Sequence, residues 1–250
     1  EAHLEVDLSE STYTPWADGG NGSTTGFVRG TSTLIMDGTG TFQHKYNTDD
    51  SMRVHNLTVS GTTTLSQLAD ASGGLNIMGD SCNISGTLIS YSGNTLRLYG
   101  TDMGDNKTTL SVGTPTTSLA QLSRLYCYSP EATLRDGVTL PEFTTKNLNI
   151  NAGSALLTGN VTLTDGELEI NTGSDGILYS NGFDIKTKTV DHQANRTFNM
   201  EKGSSLIFTD ESGAGFGSSA GTLNCIGSAS HGFYNYQTDR TTALTGINII

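Results

Sequence analysis

The chain has 250 residues and carries 25 Asp and Glu against 13 Lys and Arg, for a formal net charge of −12 and a pI near 4.6. Phosphate contacts need clustered cations and these are scattered, so the balance argues against a nucleic-acid binder and against an anionic membrane surface. Charged residues make up only 15% of the chain, which leaves Thr, Ser, Asn and Gly to supply most of the polar surface, as on an extracellular or virion-like exterior. With four Pro and regular β-branched alternation, the sequence reads as folded.

From the N-terminus, Leu4-Glu5-Val6-Asp7-Leu8 alternates as a strand and leads into a loop over 12–26 holding Trp16 and Asp18-Gly19-Gly20. Residues 1–30 are expected to cap or attach the domain that follows, because the open end of a stacked coil exposes unpaired backbone groups. Glu1 in place of Met suggests a processed or trimmed chain, and these residues include neither a signal peptide nor a transmembrane run. The segment 1–20 is polar and holds Pro15, unlike the long apolar helix that opens a type IV pilin.

Thr31 to Gln43 reads Thr-Ser-Thr-Leu-Ile-Met-Asp-Gly-Thr-Gly-Thr-Phe-Gln, and after a polar spacer comes Val54-His55-Asn56-Leu57-Thr58-Val59-Ser60-Gly61-Thr62. This pattern resembles the repeats of large bacterial surface adhesins and of phage tail or virion appendage proteins. The resemblance implies a right-handed parallel β-helix used for display, adhesion or as a structural shaft, and it brings no catalytic motif.

Short apolar–polar–apolar triplets follow: Leu75-Asn76-Ile77, Leu96-Arg97-Leu98, Leu148-Asn149-Ile150, Val161-Thr162-Leu163, Leu168-Glu169-Ile170, Phe183-Asp184-Ile185 and Phe198-Asn199-Met200. The outer residues of each share one face of an extended segment, and turns rich in Gly, Asn, Ser and Asp separate them. Leu148 and Leu168 lie about twenty residues apart, as Val161 and Phe183 nearly do, a spacing typical of coils. The expected fold is an all-β parallel β-helix, a solenoid over 31–250 that continues past the chain end or pairs there with a neighbour through Ile247-Asn248-Ile249-Ile250. A β-sandwich or jelly roll is the alternative that regularly spaced short strands also allow. Two stretches, 64–71 and 118–128, have helical content, the second placing Leu119, Leu122, Leu125 and Tyr126 at helix spacing; Leu122 to Tyr128 is equally compatible with a strand around Cys127.

Chemistry is sparse. Glu167, Glu169, Asp184, Asp191, Asp210 and Glu211 form the densest acidic group, and glycoside cleavage uses two carboxylates about 5–10 Å apart, but no spacing rule selects a pair. Lyases of similar fold resemble one another in a calcium-binding acidic cluster with a Lys or Arg base; Arg97, Arg135, Lys186, Lys188 and Arg196 are the available bases. Asp102-Met103-Gly104-Asp105-Asn106 lacks the twelve-residue calcium loop and reads as a turn. His3, His44, His55, His192 and His231 have no nucleophile motif beside them, and Gly213 to Gly217 precedes no helix pattern. Asn21, Asn56, Asn83, Asn106, Asn160 and Asn195 head sequons of the kind that chance produces in an Asn- and Thr-rich chain. Cys82, Cys127 and Cys225 show neither metal-ligand nor disulfide spacing, and Cys82 and Cys225 read as small apolar core residues. Sugar-binding platforms are offered by Phe233-Tyr234-Asn235-Tyr236-Gln237 and Tyr126-Cys127-Tyr128.

The sequence therefore points to a non-enzymatic structural or adhesive module of a surface filament, virion appendage or large adhesin. It is expected outside the cell, assembling through strand edges or side faces with copies of itself or other structural subunits, with cell-surface glycans as a further class of partner. No residue is assigned a catalytic, cofactor-binding or metal-binding role, no cofactor is expected, and neither nucleic acid nor membrane insertion is foreseen. The alternative is a polysaccharide lyase or hydrolase, a tailspike-like depolymerase, on the same coil.

Overall fold

The computed structural model describes residues 31, 33–44, 52–67, 73–91, 94–99, 107–128, 135, 137–170, 176–192, 196–201 and 203–209, together with strands at His3–Val6, Gly215–Ser219, Thr222–Ile226, Gly232–Asn235 and Asn248–Ile249. It is a parallel β-helix. Eleven strands stack in chain order on the first face: His3–Val6, Thr33–Met36, Asn56–Val59, Ser81–Ile84, Thr108–Val112, Val138–Leu140, Ser154–Leu157, Ile177–Tyr179, Thr197–Glu201, Thr222–Ile226 and Asn248–Ile249. All the strand pairs among the described residues are parallel, which rules out the antiparallel sandwich or jelly roll.

From Thr33–Met36, Asn56–Val59 and Ser81–Ile84 the chain turns onto a second face, as Thr39–His44, Thr62–Gln67 and Thr87–Ser90. It then crosses to a third face, Met52–Val54, Gly73–Ile77, Asn94–Leu98 and Leu125–Tyr128. Phe143–Ala152 and Val161–Ile170 run over both, and their pairing shifts register between Thr145 and Asn147. Above them, Ile185–Thr187 and Ser205–Phe208 continue the second face, and Thr189–His192 and Gly215–Ser219 the third.

The triplets do what their alternation requires. Leu75, Leu96, Leu125, Leu148, Leu168 and Val190 form one inward column, Ile77, Leu98, Cys127, Ile150 and Ile170 a second, and Leu34, Leu57, Cys82 and Leu110 line the first face. All are buried. Each such side chain contributes roughly 1.5–3 kcal/mol of burial, so a coil with few residues per rung still closes a continuous core.

The corners carry the Asp-Gly-Thr and Val-Ser-Gly-Thr phrases. Where the first face turns to the second, Thr62 N–H donates to Gly38 O at 3.0 Å and Thr87 N–H to Gly61 O at 2.8 Å, stacking the glycines. A Cβ on Gly61 would lie 1.9 Å from Gly38 O, and one on Gly86 2.0 Å from Gly61 O, so close backbone approach requires Gly at both.

Neither helical expectation is met among the described residues. Thr62–Gln67 is a strand paired with Thr39–His44, and 68–71 lie outside the described residues. In the second stretch, Leu125–Tyr128 is a third-face strand, while 115–122 fills the second-face rung between Thr87–Ser90 and Phe143. There Leu88 N–H donates to Ser118 O at 2.8 Å, Ser90 N–H to Gln121 O at 3.1 Å, and Thr144 N–H to Pro115 O at 2.7 Å. Leu119 and Leu122 are buried because this turn presses them inward, an arrangement that mimics helical spacing in sequence. Within 1–30, His3–Val6 pairs with Thr33–Met36, and the rest lies outside the described residues. No helix among the described residues is long and apolar enough to cross a membrane.

Candidate functional site

The middle residues of the third-face triplets point away from the core and fall into one register column: Arg53, Asn76, Arg97, Tyr126, Asn149, Glu169 and Asp191. A second outward position, two residues earlier, holds Arg124, Asn147 and Glu167. Among the described residues, guanidiniums, an aromatic ring and carboxylates meet here.

Tyr126 sits at the centre. The Arg97 guanidinium carbon is 5.2 Å from its ring centroid and that of Arg124 is 5.7 Å away, both within cation–π range. Arg124 also donates to the Tyr126 hydroxyl at 3.2 Å and pairs with the Glu169 carboxylate at 2.8 Å. Burial works against the Arg124 charge, but the Tyr126 hydroxyl and the Glu169 carboxylate outweigh it and hold the guanidinium above its ordinary value. Asn149, between the two rungs, donates from Nδ2 to Glu169 Oε2 at 2.5 Å. Glu169 is thereby buried with both carboxylate oxygens engaged.

Glu167 behaves differently. Desolvation, a hydrogen bond to Glu169, and the charges of Glu169 and Asp191 push its carboxyl up to about 7, against a smaller opposing pull from Arg124. Glu167 is therefore the carboxyl of this group that gains a proton most readily as the pH falls through 7. Asp191 stands in register with Glu169 on the next rung.

Of the acids singled out in the sequence, the fold thus brings Glu167, Glu169 and Asp191 together and sends Asp184 elsewhere. Asp184 is a corner residue: its N–H donates to Asn160 Oδ1 at 2.9 Å and its Oδ1 accepts the Ser205 N–H at 2.8 Å, forming an inter-rung ladder. Asp210 and Glu211 lie outside the described residues. Among the bases, Arg97 joins the column, Lys186 is exposed, Lys188 lays its stem over Gly166, and Arg196 precedes the first-face strand Thr197–Glu201. Arg135 pairs with Glu201, whose carboxylate also accepts the Asn181 N–H, and covers the Tyr179 ring at 4.9 Å. This second cluster braces a corner in which Asn181 has a positive φ of 52° and Ser180 and Ser204 meet at 2.6 Å.

Sequence reasoning missed Arg124 and the bridging part of Asn149. Aligning the triplets by their recurring Gly-Ser would have placed Asn149 beside Glu169, but Arg124 lies outside any triplet and only the fold brings it in. Asn56 Oδ1 accepts the Ser81 N–H at 3.1 Å, as Asn160 does for Asp184, so both sequon asparagines tie rungs together; Asn83 is half-buried in a strand. His55 is buried. Tyr128 packs against Tyr99 in a tilted arrangement, ring centroids 4.7 Å apart. Residues 101–106, Asn21, Asn195, His231 and the side chains of His3, His44, His192, Cys225 and 232–237 lie outside the described residues, and Gly215 to Gly217 belong to a strand. Among the described residues no group of three or more His, Cys, Asp and Glu has a metal-holding arrangement.

Comparison with protein-family models, with curated proteins and with solved structures finds no match.

Proposed function

We propose that the chain is a rigid, non-enzymatic structural or adhesive module of a surface filament, virion appendage or large adhesin, working outside the cell and assembling through its side faces or strand edges. The observation that carries this reading is how the outward polar side chains are used. Asn56, Asn147, Asn160, Asp184 and Thr158 each hydrogen-bond the backbone of an adjacent rung, so surface chemistry that could hold a ligand instead ties the rod together. A low share of charge and a continuous stacked core suit a shaft that presents or spaces other parts. Size-exclusion chromatography with light scattering tests it: self-association that grows with concentration supports the module, and a strict monomer at every concentration counts against it.

A second reading, glycan cleavage, is favoured by one specific observation: a carboxyl, Glu167, raised to about 7 beside Glu169, Asp191 and Arg124. Hydrogen-bonded carboxyls are closer than the ~5–10 Å that glycosidases use, so a hydrolase here would pair Glu167 as acid with Asp191 as base. Incubation with capsular and pectic polysaccharides, followed by assay for reducing and unsaturated ends, decides it. Release that disappears in Glu167→Gln supports cleavage, and no product across the panel removes it.

A further inference from the structure

We infer that the third face carries a binding site for an acidic glycan, built on Arg97, Asn76 and the tyrosines beside them, with a sugar carboxylate seated on Arg97. The inference rests on the reading of the chain as an adhesive module and names the ligand class and its site.

One cation of this face has no acid. In a chain of net charge −12, the half-buried Arg97 makes no ion pair among the described residues. Its Nε donates to Thr95 Oγ1 at 3.3 Å and its guanidinium lies over the Tyr126 ring, which holds the group in place. The two terminal nitrogens have no partner among the described residues. Gly74 makes room for this arrangement, since a Cβ there would lie 2.4 Å from Thr95 Oγ1 and 3.0 Å from Arg97 Nε. Arg124, by contrast, is neutralised by Glu169, and Arg53 is engaged within the chain. A planar guanidinium fixed in this way matches a carboxylate, which accepts parallel N–H bonds from it.

Beside it lies an acceptor with no donor. Asn76 stands in register with Arg97 on the preceding rung, is 3% exposed, and its Oδ1 has no hydrogen-bond partner. A sugar hydroxyl next to the carboxylate supplies the donor that the chain does not. The exposed Arg53 side chain, one rung lower in the same column, is the flexible neighbour whose rotation admits that hydroxyl.

Tyr99 and Tyr128 complete the site. They lie two residues beyond Arg97 and Tyr126, outward by alternation and half-buried, with their tilted rings 4.7 Å apart. That step along the strand is about 7 Å, close to one sugar ring. The pair offers an apolar surface to the C–H face of the next sugar. An acidic peptide side chain would satisfy Arg97 but brings neither the neighbouring hydroxyl nor that face, so the observations favour a glycan.

Nuclear magnetic resonance titration of the isotope-labelled chain tests this, following the Arg97 Nε–H and Asn76 side-chain amide signals. The probes are tri-galacturonate, a hyaluronan tetrasaccharide and sialyllactose, each with its neutral methyl ester, and a tri-glutamate peptide. At least one acidic sugar should shift both signals, and its methyl ester should bind about tenfold more weakly or worse. Arg97→Gln should weaken binding by a similar factor, with circular dichroism confirming the fold. Asn76→Leu should weaken binding yet leave the thermal midpoint unchanged or raised, because it removes the orphaned oxygen; an Asn76 that served only the fold would lose stability. Lys186→Gln, which removes an exposed second-face cation, should bind as wild type does. Binding unchanged in Arg97→Gln overturns the inference, as does a tri-glutamate peptide that binds as tightly as the sugars. No shift from any of the three sugars also overturns it, and self-association of the same sample would then leave the structural module standing. A strict monomer that binds the sugar would keep this inference and remove the assembling reading.

Discussion

Arg124 reaches past the Asn149 rung to pair with Glu169 at 2.8 Å, and Asn149 donates to the same carboxylate from between them. Three successive third-face rungs are thus tied through one buried acid. Glu169→Ala leaves a guanidinium and an amide without this acceptor and should cost about 1–3 kcal/mol, seen as a lowered urea midpoint. Glu169→Gln keeps an acceptor for Asn149 and should lose less.

Glu167 should titrate near pH 7 in the folded protein, followed by carboxyl chemical shifts. Its folded value lies above the ordinary 4.5, so the folded state binds this proton more tightly than the unfolded chain does. The stabilisation is complete below about pH 4.5 and is lost as pH rises through 7. Glu167→Gln should flatten that window and raise Tm at pH 8 by about 1–3 °C. In Glu169→Gln, which removes the neighbouring charge, the Glu167 midpoint should fall. A midpoint unchanged by Glu169→Gln would mean that burial alone sets it.

Gly61→Ala should destabilise by about 2–3 kcal/mol, because its Cβ would meet backbone oxygens of Gly38 at 1.9 Å and Asp37 at 2.5 Å, and neither can swing aside. Thermal denaturation reads this directly. Loss of the same size is expected for Gly86→Ala, which meets Gly61 O at 2.0 Å.

Cys82 and Cys127 should resist alkylation in the native state. Both are fully buried, and burial pushes their thiols well above the ordinary value, leaving essentially no thiolate at neutral pH. Peptide mapping after iodoacetamide treatment should find them unmodified until denaturant is added, and modification at native pH would mean that the core opens.

The coil was legible because its signal is local. Leu148-Asn149-Ile150 and Leu168-Glu169-Ile170 fix which residues face inward, and Gly38 and Gly61 mark the corner where the chain turns. Two features misled. Leu119 and Leu122 occupy an irregular rung whose inward positions happen to fall at helical spacing. Asp184 has the same place in its triplet as Glu169, yet it sits at a corner and caps the Ser205 amide, because it precedes the second-face strand Ile185–Thr187 rather than lying inside a strand. The site depended on contacts across rungs. Arg124 and Glu169 are 45 residues apart in sequence, and nothing in the repeat phrase brings the arginine to the acid.

Cryo-electron microscopy of the protein at high concentration tests the central claim most directly. The account predicts slender rods with a ~4.8 Å axial repeat, associating side by side or end to end. Isolated compact particles without that repeat, at every concentration, would contradict it.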